Sequence, residues 1–235
     1  MNWSAPKRPV DHAEEALITA ILEGDFPAGA ALPGERELAA QLGVTRPTLR
    51  EALRRLERDG WLVIHQGKST VVNDFWWDGG LNVLSGIVRY SQHLPPDFVP
   101  NLLEVRLHLA PAFTRAAITR AADAVAAFQA DRAALEDAAA AFAAFDWQLQ
   151  RFLTVASGNP VYALILNGFA GFYEELARRY FAPPEARQTS RRFYAALHAA
   201  AQARDPAAAE QVTREVMRES IIIWGRVSGD GVSGG

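Results

Sequence analysis

The residues best suited to do chemistry in this 235-residue chain are cationic and hydroxylated, and they gather in one stretch. Thr45, Arg46, Thr48 and Arg50 follow directly on Gly43-Val44. Arginine carries a fork of donors that fits O6 and N7 of guanine, while threonine hydroxyls and the free N–H groups of a helix start suit phosphate oxygens. Arg36 lies just before them, and Gln66-Gly67-Lys68 just after. Gly67 permits close backbone approach, and Lys68 supplies a cation directed at phosphate. This is the chemistry of a DNA reader. Chemistry of other kinds is poorly supplied. There is no cysteine, which excludes thiol catalysis, disulfides and thiolate metal sites. No paired carboxylates and no glycine-rich phosphate loop stand out, so an enzyme is not expected.

The elements around these residues must form a reading head. Ala13, Leu17, Ile18, Ile21 and Leu22 share one helical face, with Asp11 as the expected N-cap, Glu14 completing a capping box and Gly24 as the stop. A turn over 26–29 and a short strand over 30–32 follow. The next helix begins near Gly34 and carries Leu38 and Leu42 on one face. Gly43 ends it, Val44 turns inward, and Thr45 caps a third helix that tolerates Pro47 in its first turn. Leu49, Leu53 and Leu56 make the buried stripe of that helix, so Arg46 and Arg50 face outward with Thr45 and Thr48. Arg54, Arg55 and Arg58 read instead as a solvated face shared with Glu51 and Glu57. Residues 61–65 and 69–72 are β-rich and flank a tight turn at Gln66-Gly67, which makes a hairpin. Two short helices, a third helix and a hairpin together predict a winged helix-turn-helix.

Charge totals alone would not suggest this. The net charge is −3, and Leu32–Val72 holds seven cationic and five acidic residues. Placed arginines fit that balance; non-specific coating of DNA does not. The start of the chain lacks an apolar signal core and there is no unbroken apolar run of the ~20 residues a membrane span needs, so a cytoplasmic protein without membrane association is expected.

Asp74–Gly80 marks the expected boundary. The chain is read as a reading domain over 1–75, a linker over 76–80, a helical domain over 81–228 and a disordered tail over 229–235. The fold class is mainly α, a winged helix-turn-helix followed by an antiparallel bundle of about seven helices, at 81–92, 96–120, 123–137, 138–157, 160–181, 185–203 and 206–227. Hydrophobic residues make up 49% of the chain, enough for a sizeable core. Aromatic residues in the later helices (Phe145, Phe152, Phe169, Phe172, Tyr173, Tyr180, Phe181, Phe193, Tyr194 and Trp224) line an apolar cavity or simply fill a core. Ser220 and Trp224 lie at i, i+4 and can face one pocket. His93 and His108 read as surface or helix-packing residues. No metal is expected: Asp146 has Gln150 at i+4 where a histidine ligand would be wanted, and His198 is the only histidine in the later helices.

The stretch LPGERELAAQLGVTRPTLREALRRLERDGWL resembles the winged-helix domain of GntR-family bacterial transcription factors. NDFWWDGGLNVL, NLLEVR, ASGNPVYALILNGFAGFY, RRYFAPPEAR and the late Glu219-Ser220 with Trp224 resemble its fatty-acid-responsive FadR subfamily, so the likeness spans about Glu14 to Trp224. The resemblance implies a homodimer on a palindromic operator, with no cofactor and a seven-helix lobe that binds long-chain acyl-CoA and thereby releases DNA. It implies repression of degradation genes and activation of synthesis genes. A regulator sensing a small carboxylate is the alternative. Arg36, Thr45, Arg46, Thr48, Arg50, Gly67 and Lys68 match operator-contacting positions, with Gln66 in place of a wing histidine. Arg106, Tyr180, Tyr194, Ser220 and Trp224 match ligand-region positions, with Arg178, Arg179, Arg187, Arg191 and Arg192 as further candidates for phosphate contact. Three departures stand out: Pro47 where other members have threonine, the order His65-Gln66, and Met217 where a glycine is usual.

Overall fold

The computed structural model describes residues 7–90, 94–95 and 97–230. The chain divides into two compact units, with the division after Leu94. The first begins with α1 (Pro9–Glu23), α2 (Glu35–Gln41) and α3 (Arg46–Asp59). Two strands follow, β1 (Leu62–Val63) and β2 (Val71–Val72), paired antiparallel with Leu62 opposite Val72. Ala31 bridges Val71 and extends this small sheet. The strands are shorter than the β-rich runs at 61–65 and 69–72, because Ile64 turns its N–H to the Glu57 carboxylate instead of to a strand partner. A fourth helix, α4 (Leu81–Tyr90), closes this unit.

Local chemistry explains the helix ends. Gly24 and Gly60 stop α1 and α3 at φ +88 and +94, a region that costs glycine nothing. The start of α1 differs from expectation. Pro9 occupies the first helical position and Arg8 the cap, so Asp11 sits inside the first turn, where it pairs with Arg55 of α3. No capping box forms, since the cap position is Arg8, whose side chain has no acceptor for the N–H groups of the first turn. Val10, Ala13 and Ala52 pack with Leu42 and Val44 at the crossing of these helices.

Trp61 is the largest buried side chain of the unit, 1% exposed. It stacks obliquely on Phe75 at 4.9 Å, and its ring is so close to α4 that a methyl on Gly86 would lie 2.6 Å from it. By packing, α4 thus belongs to the reading unit, and the packing division falls well past the expected linker at 76–80.

The second unit holds α5 (Phe98–Phe128), α6 (Ala139–Ala156), α7 (Pro160–Asn167), α8 (Tyr173–Tyr180), α9 (Pro184–Gln202) and α10 (Pro206–Asp230). The expected break between the helices at 96–120 and 123–137 is present as a kink in α5, where Ala121 leaves helical geometry at φ −146, ψ 40, and the second of them ends early, at Phe128. A short 3₁₀ turn, Ala130–Ala134, follows. The expected helix at 160–181 is broken in two: the chain turns at Gly168–Phe172 and re-enters α8 through Phe172 at φ −139. Phe142, Leu149, Leu153, Leu197 and Ala117 form the centre of the core, all fully buried. Among the described residues, no helix is long and apolar enough to cross a membrane. His93 and residues 231–235 of the expected tail lie outside the described residues.

Candidate functional site

The first candidate site is the exposed start of α3 with the hairpin tip. Thr45 caps the helix as expected: its Oγ1 accepts the Thr48 N–H at 3.3 Å and lies 2.8 Å from the Thr48 hydroxyl. Leu49 points into the core and is fully buried, which forces Arg46 and Arg50 to the surface. Arg46, Arg36 and Lys68 are exposed and have no ion-pair or hydrogen-bond partner among the described residues. Arg50 differs from the expected free cation: its Nε donates to the Glu35 carboxylate of α2 at 2.7 Å. The pair is exposed, so it is weak and yields readily to a phosphate or a base edge. At the hairpin tip Gln66 is exposed and Gly67 takes φ +72, the left-handed value that a tight turn requires and that glycine adopts without strain. Arg55 and Arg58 are engaged by Asp11, Glu14, Glu51 and Asp59, in line with their reading as a solvated, paired face.

The second candidate site is a cleft in the helical unit, with about 820 Å³ of empty space, part of it open to solvent. Its walls are apolar, from Leu102 and Leu103 of α5 through Phe169 and Phe172 to Val216 and Met217 of α10. Besides Ser190, polar groups enter at two places. One is a buried hub on Asp146, the sole acid of α6, which is 7% exposed. Its Oδ2 accepts from Tyr173 and lies 3.4 Å from Arg106 Nη2, and its Oδ1 accepts from Tyr194 at 3.2 Å. The Arg106 guanidinium also lies over the Tyr173 ring at 5.3 Å.

Three donors on one carboxylate explain how a charge sits inside an apolar bundle. Burial opposes the Arg106 charge, but Tyr173 and Asp146 outweigh it, so its pKa is raised. Burial holds the hydroxyls of Tyr173 and Tyr194 well above the usual phenol range, with the Asp146 charge adding to it, so both remain donors.

The other polar place is the pair of Tyr180 and Ser220, whose oxygens are 3.1 Å apart. Ser220 gives its proton to the Val216 carbonyl at 2.8 Å, so Tyr180 donates to Ser220. Tyr180 is raised in pKa by burial, with the Ser220 contact working the other way.

Of the ligand-region residues marked in the sequence, Arg106, Tyr180, Ser220 and Trp224 all line the cleft, as does Met217. Tyr194 does not: it is 1% exposed and lies beneath, holding Asp146. In the sequence, Asp146 stands out only as part of an incomplete metal ligand set and Tyr173 only as one of many aromatics, yet together they form the hub. A signal for Asp146 was present, since a lone acid in the stripe Phe142, Asp146, Leu149, Leu153 cannot be buried without donors. Its partners come from α5, α8 and α9, and no spacing announces that. The candidate phosphate-binding arginines are all engaged. Arg178 and Arg179 pair with Glu174 and Glu175, Arg187 and Arg191 with Asp137, and Arg192 with Glu219.

Two known protein families match successive parts of the chain. Residues 9–72 match the model of bacterial regulatory proteins of the gntR family, and residues 73–230 match the FadR C-terminal domain. The latter segment includes α4, which packs with the first unit. A fatty acid metabolism regulator protein of Edwardsiella ictaluri is 45% identical over 216 residues, covering 92% of this chain and 90% of that one. Its counterpart in Pectobacterium atrosepticum is 43% identical with the same coverage. At the level of fold, the solved structure of Lar, which controls expression of the Listeria monocytogenes agr system, is similar with a TM-score of 0.64 at 18% identity, covering 95% of this chain and 99% of that one. The chain belongs to the gntR family of bacterial regulatory proteins, in its FadR branch of fatty acid metabolism regulators, and is a DNA-binding transcription regulator rather than an enzyme.

Proposed function

We propose that this protein binds a palindromic operator as a homodimer in the cytoplasm and leaves it when a long-chain acyl-CoA enters the cleft. It represses genes of fatty-acid degradation and activates genes of synthesis. Arg36, Arg46 and Arg50 read or flank base edges, Thr45 and Thr48 meet phosphates, and Gln66, Gly67 and Lys68 carry the wing. Arg50 exchanges Glu35 for DNA on binding.

The observation that carries the ligand reading is the cleft itself: a space with mostly apolar walls, part of it open to solvent, and a few polar groups, chiefly Arg106–Asp146 and Tyr180–Ser220. An acyl chain needs such walls, and a thioester needs a few placed polar partners. A small carboxylate fits less well. It would need a free cation in the cleft, and Arg106 is already paired with Asp146. The phosphates of the CoA portion call for cations as well, and Arg192, next to the cleft residue Phe193 and in an exposed pair with Glu219 beside Ser220, is the candidate.

The test is a gel-shift titration on an operator fragment. Long-chain acyl-CoA releases the DNA at concentrations where the free acid and coenzyme A alone do not. Release by a short carboxylate, with none by acyl-CoA, would reverse the assignment.

A further inference from the structure

A second cavity lies among α5, α6 and α7, with about 340 Å³ of empty space, partly open to solvent. Arg106, Leu166 and Phe169 line both it and the main cleft, so they form a shared wall between the two spaces. Most of its remaining lining is apolar, including Leu109, Phe113 and Ile165. One residue is out of character. Gln150 lines the cavity from the core face of α6 and is 2% exposed, and its Nε2 is buried with no hydrogen-bond partner.

An unpaired buried amide works against the fold, and a methionine would fill the same space without that cost. Buried polar groups left without partners are uncommon, and one that lines a cavity can pair with an acceptor that enters it. Here the outside is an apolar cavity that shares its wall with the ligand cleft. An acceptor that enters such a space must be carried by an apolar body.

We infer that the second cavity receives the part of a bound acyl chain that passes the shared wall, and that Gln150 selects chains bearing an oxo group there. The Gln150 Nε2–H donates to that oxygen. A plain saturated chain fills the same space and leaves the amide unpaired. A keto oxygen suits this position because it only accepts, so it brings no proton that would need a partner of its own. Discrimination of this kind comes from the group left unpaired by the wrong ligand, which makes it larger than an apolar wall alone can achieve. This inference rests on the reading of the main cleft as an acyl-CoA site.

The experiment compares CoA thioesters of one chain length, saturated or with an oxo group moved stepwise along the chain, on wild type and Gln150→Met. Binding is read by calorimetry and function by release of operator DNA. With wild type, the best oxo position binds and releases at concentrations about five- to tenfold lower than the saturated chain. With Gln150→Met that advantage disappears, the saturated chain works at least as well as on wild type, and the melting temperature does not fall. Equal response to all chains in wild type overturns the inference, as does an oxo preference that survives in Gln150→Met. A lower melting temperature for Gln150→Met also overturns it, since the amide would then be satisfied inside the free protein. Failure of every thioester to bind either protein brings down the acyl-CoA reading, and this inference with it.

Discussion

In the proposed reading single side chains carry recognition, and their surroundings decide what each one contributes. Arg46 is exposed and unengaged, so nothing in the free protein competes with DNA for it. Arg46→Ala is therefore expected to cost about 1–3 kcal/mol of operator affinity and to relax specificity at one base position, measured by gel shift on specific and scrambled fragments. Equal losses on both fragments would reduce Arg46 to a phosphate contact. Asp146 is the opposite case, a charge whose value lies in its partners. Asp146→Asn keeps the shape but leaves Arg106 without a counter-charge. A fully buried pair broken in this way costs ~3–5 kcal/mol. Arg106 keeps 24% of its side chain exposed, so the expected loss here is smaller, about 2–3 kcal/mol. Thermal unfolding should show it as a melting temperature lower by roughly 5–10 °C.

At the scale of elements, the surprise is α4. Its sequence reads as the first helix of the regulatory lobe, yet Gly86 lies flat against Trp61 beneath the hairpin, and no larger residue fits. Gly86→Ala would place a methyl 2.6 Å from the indole and is expected to destabilise the reading unit by about 1–3 kcal/mol. Tryptophan fluorescence during denaturant unfolding should show an earlier transition for that unit. Helix α6 makes a second point. Its periodicity marks its buried face without error, from Phe142 to Leu153, but the same face carries Asp146 and Gln150. Periodicity says which positions are inside; it does not say what meets the two polar ones there. The break of the expected helix at Gly168–Phe172 belongs here too, because it brings Phe169 and Phe172 to the cleft wall.

For the whole molecule, the proposed reading and sensing residues fall in separate units, so a substitution in one should leave the other's own activity intact. Ser220→Asn enlarges a side chain that contacts Tyr180 inside the cleft. Operator affinity without ligand should be unchanged, while the acyl-CoA concentration that releases DNA should rise about tenfold or more, as expected when a bulkier, differently bonded group takes the place of a placed hydroxyl. A titration in which release is unaltered would remove Ser220 from the site.

Much of this design was legible from the residues alone. The Gly43-Val44-Thr45 turn, the Leu49–Leu53–Leu56 stripe and the Gln66-Gly67 tip are local, since caps, turns and helical faces depend on neighbours a few positions away. They determine a winged reader and the outward face of Arg46. What only the tertiary structure decided are meetings between distant positions: Arg50 with Glu35, Asp146 with Arg106, Tyr173 and Tyr194, and Gln150 against a second cavity. A buried charge or amide is acceptable or costly according to what packs against it from other helices, and helix packing, not the residue's own neighbours, sets that.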